Sequence, residues 1–483
     1  MIEQMITRTK KSIASLFVFL FACSSIFGQS SDERIAEQID ELFSRYNSST
    51  PGVAIAVVRD GKVSFKKGYG SANLEYGQPI TPKTVFNIAS VSKQFTAFSI
   101  YLLEKQGKLS LDDDVRKYIP ELPNHGKPVR IKHLLAHTSG VRDALLALAG
   151  WRSGDVVTNE NALTFIYRNK ELNFEPGTQF LYSNAGYMLL AEIVKRISGQ
   201  TFAEFARKNI LEPLGMADTQ ILDDHERIVK NRAASYELEN GTYKIRTAPD
   251  SVSGASNLHT TVEDMAKWAM NFEKPVVGDA ELIGRFNEPS LMNDGSKTIW
   301  SITEDGPGYH AKGQIHWNYR GLRLMSHGGH AAAFRSFFGR FPDKHLAVVA
   351  LSNDENYLNF DTSIKIAEMY LRDEMLPPPA PLAATPSKPS VDPPNSNLKD
   401  YEGRYFNAEL DTTYTVKLTD GKLRLFHIRR GESPMADVGK DKFSVEIGFV
   451  SQVEFVRNAS GAVTRFRVSN YGAKNVRFER ESR

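Results

Sequence analysis

Cysteine is almost missing from this chain of 483 residues: the one copy is Cys23. A disulfide framework is therefore excluded. Long runs of lysine or arginine are missing too, and the formal net charge is only +3. Nothing in that balance calls for a nucleic-acid partner. No His-Glu-x-x-His pair occurs among the 11 histidines. His327 and His330 lie in a glycine-rich stretch without an obvious third ligand, so no metal and no cofactor is expected. The only long apolar run is "SIASLFVFLFAC" near the start. It is short for a bilayer span and follows Arg8, Lys10 and Lys11, so it reads as a secretion signal. A cut after Gly28 is expected, with lipidation of Cys23 as the alternative. The expected location is then periplasmic or secreted, soluble or lipid-tethered, with no transmembrane helix after removal of the signal.

What is present is a mixture of strand and helix patterns. Ile35, Ile39, Leu42, Phe43 and Tyr46 share a helical face. "PGVAIAVVRDGKVSFKKGYG" reads as two strands around an Asp60-Gly61 turn. The pattern turns helical from about Ser90 to Lys105, and "AGYMLLAEIVKRISG" is a helix closed by glycine. "SFFGRFPDKHLAVVALSN" is a further hairpin and "FDTSIKIAEMYLRDEM" a closing helix. Residues 377–394 then hold eight prolines. They break the chain into a main part (29–376), a semi-extended linker (377–397) and a C-terminal part (398–483). The last part is a series of short strands separated by turn residues, a small antiparallel sheet or barrel.

Ser-x-x-Lys occurs three times, at Ser64–Lys67, Ser90–Lys93 and Ser396–Lys399. Residues i and i+3 lie on the same side of a helix but on opposite faces of a strand. Ser64 and Lys67 fall in a predicted strand and point apart. Ser396 leaves the linker and has no rigid frame. Only Ser90 and Lys93 sit at a predicted helix start, where the amine can approach the hydroxyl. The partial positive charge there favours an alkoxide-like nucleophile and a neutral lysine. "EPGTQFLYSNAGYMLL" adds Tyr182 and Asn184. A charged Lys93 beside Tyr182 is expected to lower the phenol pKa and make it a base. Asn184 offers an amide donor and acceptor for a substrate amide. "MSHGGHAAAFRSFFGRF" adds His327, Gly329 and His330. Gly329 is expected to let a substrate backbone approach a strand edge, and His327 to hydrogen-bond the tyrosine or the substrate. "LLAHTSG" around Ser139 lacks the Gly-x-Ser-x-Gly elbow and reads as a structural turn near the active helix.

Ser90-x-x-Lys93, Tyr182-x-Asn184 and His327-x-Gly329, in that order, resemble the motifs of the penicillin-recognising serine hydrolases. The resembling branch holds class C β-lactamases, D-Ala-D-Ala carboxypeptidases and related esterases. The likeness covers about residues 33–372 and extends to "IKHLLAHTSG", "FEPGTQFLYSNAGY" and "LEPLGM". It implies an α/β (α+β) fold of the β-lactamase/transpeptidase type, an antiparallel sheet flanked by helices with an all-helical subdomain. The C-terminal part resembles the small lipocalin-like barrels appended to some members. The resemblance further implies that Ser90 forms an acyl-enzyme and that Lys93 and Tyr182 shuttle its proton. Tyr182 then activates the deacylating water, and the backbone N–H groups of Ser90 and His330 hold the oxyanion. Expected substrates are a β-lactam, a D-amino-acid peptide or a carboxylic ester. The alternative is a non-catalytic binder or sensor of cell-wall peptides. His327 stands where much of the family has lysine, which weakens attraction for a substrate carboxylate unless Arg323 or Arg335 supplies charge.

Overall fold

The computed structural model describes residues 31–152, 154–249, 251–380, 397–448 and 450–482. The expected secretion signal, Cys23 and most of the proline-rich stretch, including Ser396, lie outside the described residues. The chain divides into two compact units, residues 1–45 and 46–483. In the first, Ser31–Leu42 is a helix with Asp32 and Glu33 in its first turn, where acids suit the helix dipole. No described helix is long and apolar enough to cross a membrane.

The second unit is built on an eight-stranded antiparallel sheet. Its order is Ile299–Thr303, Gly306–Ala311, Gln314–Tyr319, Leu322–Ala331, Phe334–Phe341, Leu346–Ser352, Val53–Arg59, Lys62–Tyr69. The central strands explain themselves. Val53–Val58 and all seven residues of Leu346–Ser352 are buried, a continuous apolar run suited to a sheet covered on both faces. The helices Val262–Asn271 and Asn359–Leu371 pack against these strands. Asp60 and Gly61 both take positive φ (51° and 71°), which gives the expected two-residue hairpin between Arg59 and Lys62. The second expected hairpin is also present, pairing Phe334–Phe341 with Leu346–Ser352.

The helix Lys93–Lys105 is buried on most of its circumference. Phe95 stacks on Trp268 at 4.5 Å, Phe98 meets the same ring edge-on at 5.2 Å, and the Trp268 indole N–H donates to Gln94 Oε1 at 3.1 Å. These contacts fix the helix rigidly behind its first turn. The helix Asn184–Ser198 packs beside it and ends at Gly199, whose φ of 70° supplies the left-handed cap.

Strands from Gly403 to Arg480 close into an eight-stranded antiparallel barrel. Each strand pairs with the next, and Tyr405 opposite Arg480 seals the ring. Its interior is aromatic: Tyr405, Phe455, Phe466 and Phe478 are buried and in mutual contact. The barrel is docked on the rest of the unit. Leu145, Leu148 and Ala149, from a short helix at Leu145–Leu148 and its end, share the barrel's apolar cluster. The Tyr414 hydroxyl donates to Leu148 O at 3.1 Å, and Arg429–Asp155 and Arg477–Glu171 pair at 2.7 Å each.

Candidate active site

Ser90 stands on a corner. The strand residue Asn87 turns its side-chain oxygen back to accept from Ala89 N at 2.8 Å. Ala89 takes φ +48°, unusual for a residue with a Cβ and a local store of strain. A 3₁₀ turn over Ala89–Ser92 then runs into the α-helix at Lys93. The turn presents Ser90 outward, while Lys93, three residues on, is fully buried beneath it.

Lys93 Nζ makes three contacts: Asn184 Oδ1 at 2.7 Å, Ala255 O at 2.8 Å and Ser90 Oγ at 3.2 Å. The first two partners only accept. A neutral amine has two hydrogens and one lone pair, so donating to both leaves the lone pair for the serine hydroxyl. Burial drives the lysine toward that neutral state, lowering its pKa to about 7 against the opposing pull of Asp143. Asp143, also buried, accepts from Asn184 N at 2.6 Å and from its neighbour Ala144 N at 2.7 Å. It thereby anchors the start of the Asn184–Ser198 helix. Of the other Ser-x-x-Lys copies, Ser64 lies on the strand Lys62–Tyr69, with its hydroxyl donating to Val57 O.

Tyr182 lies with its ring 4.9 Å from Lys93 Nζ. The expected fall in its pKa is not what the structure gives. Burial pushes the phenol up, and Ser90 is the one group drawing it down, although the two hydroxyls do not meet hydrogen-bond geometry. Lys93, its own pKa lowered to about 7 by burial, is not among the groups that act on the phenol. Burial thus favours the uncharged form of both Lys93 and Tyr182. The turn at Ser139 braces this segment, as expected. His137 Nδ1 accepts from Ser183 N at 3.1 Å, its carbonyl accepts from Leu181 N at 3.0 Å, and its ring lies 4.3 Å from that of Tyr182.

His327 and Gly329 lie on the strand Leu322–Ala331, and His330 follows them. Burial holds His327 neutral, with a pKa near 4. Its Nδ1 faces Gly328 O at 2.5 Å. A carbonyl only accepts, so Nδ1 carries the proton and Nε2 is left as an acceptor. Gly329 has a different partner from the one its position led us to expect. A Cβ there would lie 2.3 Å from Ile88 O, 2.3 Å from Ser336 Oγ and 3.0 Å from Ala89 Cβ. What approaches this strand closely is the chain's own turn into Ser90, together with Ser336. The two arginines proposed to compensate for His327 are engaged elsewhere. Arg323 pairs with Asp343 at 2.6 Å and Arg335 with Glu355 at 3.0 Å.

The structure thus brings Ser90, Lys93, Tyr182, Asn184, His327, Gly329 and His330 to one place. Two cavities meet at Ser90 and His330. One, of about 630 Å³, takes in Tyr182, His327, Trp300 and three acids, Glu304, Asp305 and Asp361. The other, of about 320 Å³, lies on the Asn184 side and is mostly apolar. Sequence reasoning missed Asp143, the Ala255 carbonyl, Trp300 and Tyr471. Each reaches the site from a distant segment and carries no local motif. Among the described residues no cluster of His, Cys, Asp or Glu has metal-binding geometry.

Known proteins resemble this chain in sequence and in fold. The Beta-lactamase family matches residues 34–368. Protein flp of Staphylococcus aureus is 29% identical over 334 residues, covering 66% of this chain and 63% of its own length, so the match spans less than two thirds of that relative. Penicillin-binding protein 4* of Bacillus subtilis is 27% identical over 342 residues, 66% of this chain and 71% of that protein. The structure of the octameric penicillin-binding protein homologue from Pyrococcus abyssi superposes with a TM-score of 0.63 at 25% identity. It covers 92% of this chain and 99% of that one. The matched residues include Ser90, Lys93, Tyr182, Asn184, His327, Gly329 and His330, though not Tyr471: the chain belongs to the Beta-lactamase family.

Proposed function

We propose that the protein is a serine hydrolase that acylates Ser90 and releases a leaving group bearing no carboxylate, from an amide or an ester. The observation that carries the reading is the buried Lys93 amine, 3.2 Å from Ser90 Oγ and held by two groups that only accept, Asn184 Oδ1 and Ala255 O. Ser90 Oγ attacks the substrate carbonyl carbon as its proton passes to Lys93. The backbone N–H groups of Ser90 and His330 stabilise the oxyanion. When the tetrahedral intermediate collapses, the bond to the leaving atom breaks and Tyr182 donates its proton to that atom. The Lys93 ammonium then restores the tyrosine. Water repeats the sequence in reverse to free the acid product and Ser90.

The leaving-group identity follows from which cavity contains the acid. Tyr182 borders the larger cavity, so the leaving group occupies that side. Its border includes Glu304, Asp305 and Asp361, and no lysine or arginine is among the described residues lining it. His327 and His330 are both held below the usual histidine range by burial. A carboxylate entering here meets negative charge and no cation. Trp300, Trp317 and Phe360 favour an uncharged or cationic group with an apolar body. This departs from a carboxypeptidase-type substrate and favours an amidase or esterase reading.

The test is a matched pair of substrates with one acyl group, the leaving group ending in carboxylate in one and in carboxamide in the other. The carboxamide is expected to be favoured in kcat/KM by about tenfold or more, roughly 1.4 kcal/mol. Preference for the carboxylate overturns the substrate assignment. Turnover of either that survives Ser90→Ala overturns the hydrolase site, and no Ser90-dependent reaction with any acyl donor leaves the non-catalytic binder as the better reading.

A further inference from the structure

The smaller cavity beside Ser90 is where the acyl group must go, because the leaving group is placed with Tyr182. Its mostly apolar lining includes Leu145, Val157, Ile166 and Met188, the charged pair Arg142 and Asp143, and one residue of the barrel, Tyr471. We propose that the barrel completes the acyl-binding site, and that Tyr471 sets the length of apolar acyl group it accepts. The inference rests on Ser90 being the acylated residue.

Three observations converge on it. The loop that carries Tyr471 is clamped to the hydrolase part. Gly472 O accepts from Asp143 N and from Asn173 Nδ2, both at 2.9 Å, and Lys474 N donates to Asn173 Oδ1 at 2.8 Å. The loop is also closed on itself, with Asn470 Oδ1 accepting from Gly472 N at 2.9 Å and Ala473 N at 2.6 Å. A side chain at 472 would bring its Cβ within 2.7 Å of Asp143 Cβ, so only glycine permits this approach. The clamp is therefore shaped for contact, not a loose touching of two surfaces.

The anchor is also part of the site. Asp143 receives the barrel loop through its backbone N–H and holds Asn184 N through its carboxylate at 2.6 Å. Asn184 in turn takes the Lys93 hydrogen bond. Finally, another part of the lining depends on the barrel as well, since Leu145 sits in the barrel's own apolar cluster. With the barrel displaced, the pocket would lose one wall and the packing behind another. Tyr471 remains 54% exposed, which places it at the mouth, between cavity and solvent. A ring in that position shortens the pocket. A larger acyl group meets the ring before a smaller one does.

The experiment uses the full chain and p-nitrophenyl esters from acetate to octanoate, with Ser90→Ala run in parallel. The readout is the ratio of kcat/KM for octanoate to that for acetate. Tyr471→Ala is expected to raise the ratio by about tenfold, the scale on which a pocket discriminates single methylenes. Tyr471→Phe keeps the ring and should keep the ratio. Tyr471→Trp enlarges it and should lower the ratio, so the proposal remains decidable if the alanine variant fails to fold. A Ser90-dependent profile that is the same in wild type, the tryptophan variant and any folded alanine variant overturns the proposal and leaves the hydrolase assignment standing. Hydrolysis that persists in Ser90→Ala overturns the assignment beneath it.

Discussion

Adjacent glycines in one strand offer a sharp trial of the site's geometry. Gly329→Ala would place a methyl group 2.3 Å from the Ile88 carbonyl oxygen, and Gly328→Ala would place one 2.8 Å from Asn359 Nδ2. Real Cβ contacts essentially never fall under 3.0 Å. At 329 the deficit is therefore about 0.7 Å, and the obstacle is backbone. That backbone is fixed: Ile88 N donates to Leu258 O at 3.0 Å, and Ile88 O accepts from Ser336 Oγ at 2.8 Å. Relief must come from moving the strand or the turn that ends in Ser90. At 328 the deficit is only about 0.2 Å, against the end of the Asn359 side chain, which can give by that much while its bond to Ser336 O at 2.8 Å is kept. A misplacement of about 1 Å near reacting groups can cost about a hundredfold in rate. Overpacking typically costs about 1–3 kcal/mol. Gly329→Ala should therefore lower kcat/KM by about ten- to a hundredfold with a modest loss of thermal stability. Gly328→Ala should lie within about threefold of wild type, on the same scale of misplacement. Steady-state kinetics on one activated ester and thermal unfolding of both variants measure this. Equal rates for the two variants would refute the claim that Gly329 sets the distance between the strand and the nucleophile turn.

Two further predictions concern protons. With Lys93 near 7 and needed as the neutral amine, kcat/KM should level off above about pH 7 and fall tenfold per unit below it. A limb near the ordinary lysine value would contradict the role given to burial. His133, His259 and His327 are held neutral to about pH 4 by burial, and burial also holds His137 and His310 well below the ordinary histidine value. The unfolded chain binds these protons first, near 6.5. Their contribution to stability is therefore whole above 6.5 and is lost as pH falls toward 4. His327 alone contributes about 3 kcal/mol over that interval. Denaturant midpoints measured from pH 7 to pH 4 should fall steadily, and a flat profile would contradict this.

The parts of the site that were legible in the sequence are local. Ser90 and Lys93 are one turn apart, and i,i+3 geometry is the same in every helix. Asp60-Gly61 announces its hairpin because both residues tolerate positive φ. The apolar runs at 53–58 and 346–351 announce buried strands. What could not be read depends on segments meeting across the fold. The Ala255 carbonyl reaches Lys93 over 162 residues of chain, and Asp143 reaches Asn184 over 41. The direction of the Tyr182 pKa is hidden from the sequence for the same reason. A neighbouring cation is visible in a motif, but burial of the ring is not, and burial dominates. The linker prolines announce a separate C-terminal part, yet nothing in "LLALAG" marks it as the patch that covers the barrel's apolar cluster. The engagement of Arg323 and Arg335 with acids on other elements was likewise invisible.

The most direct measurement is the intact mass of the protein during turnover of a slowly hydrolysed activated ester, followed by peptide mapping. Wild type should gain the mass of one acyl group, on the peptide that contains Ser90. Ser90→Ala should gain none while keeping the wild-type unfolding transition. Acylation at another residue, or an adduct that forms equally in Ser90→Ala, would contradict the account at its centre.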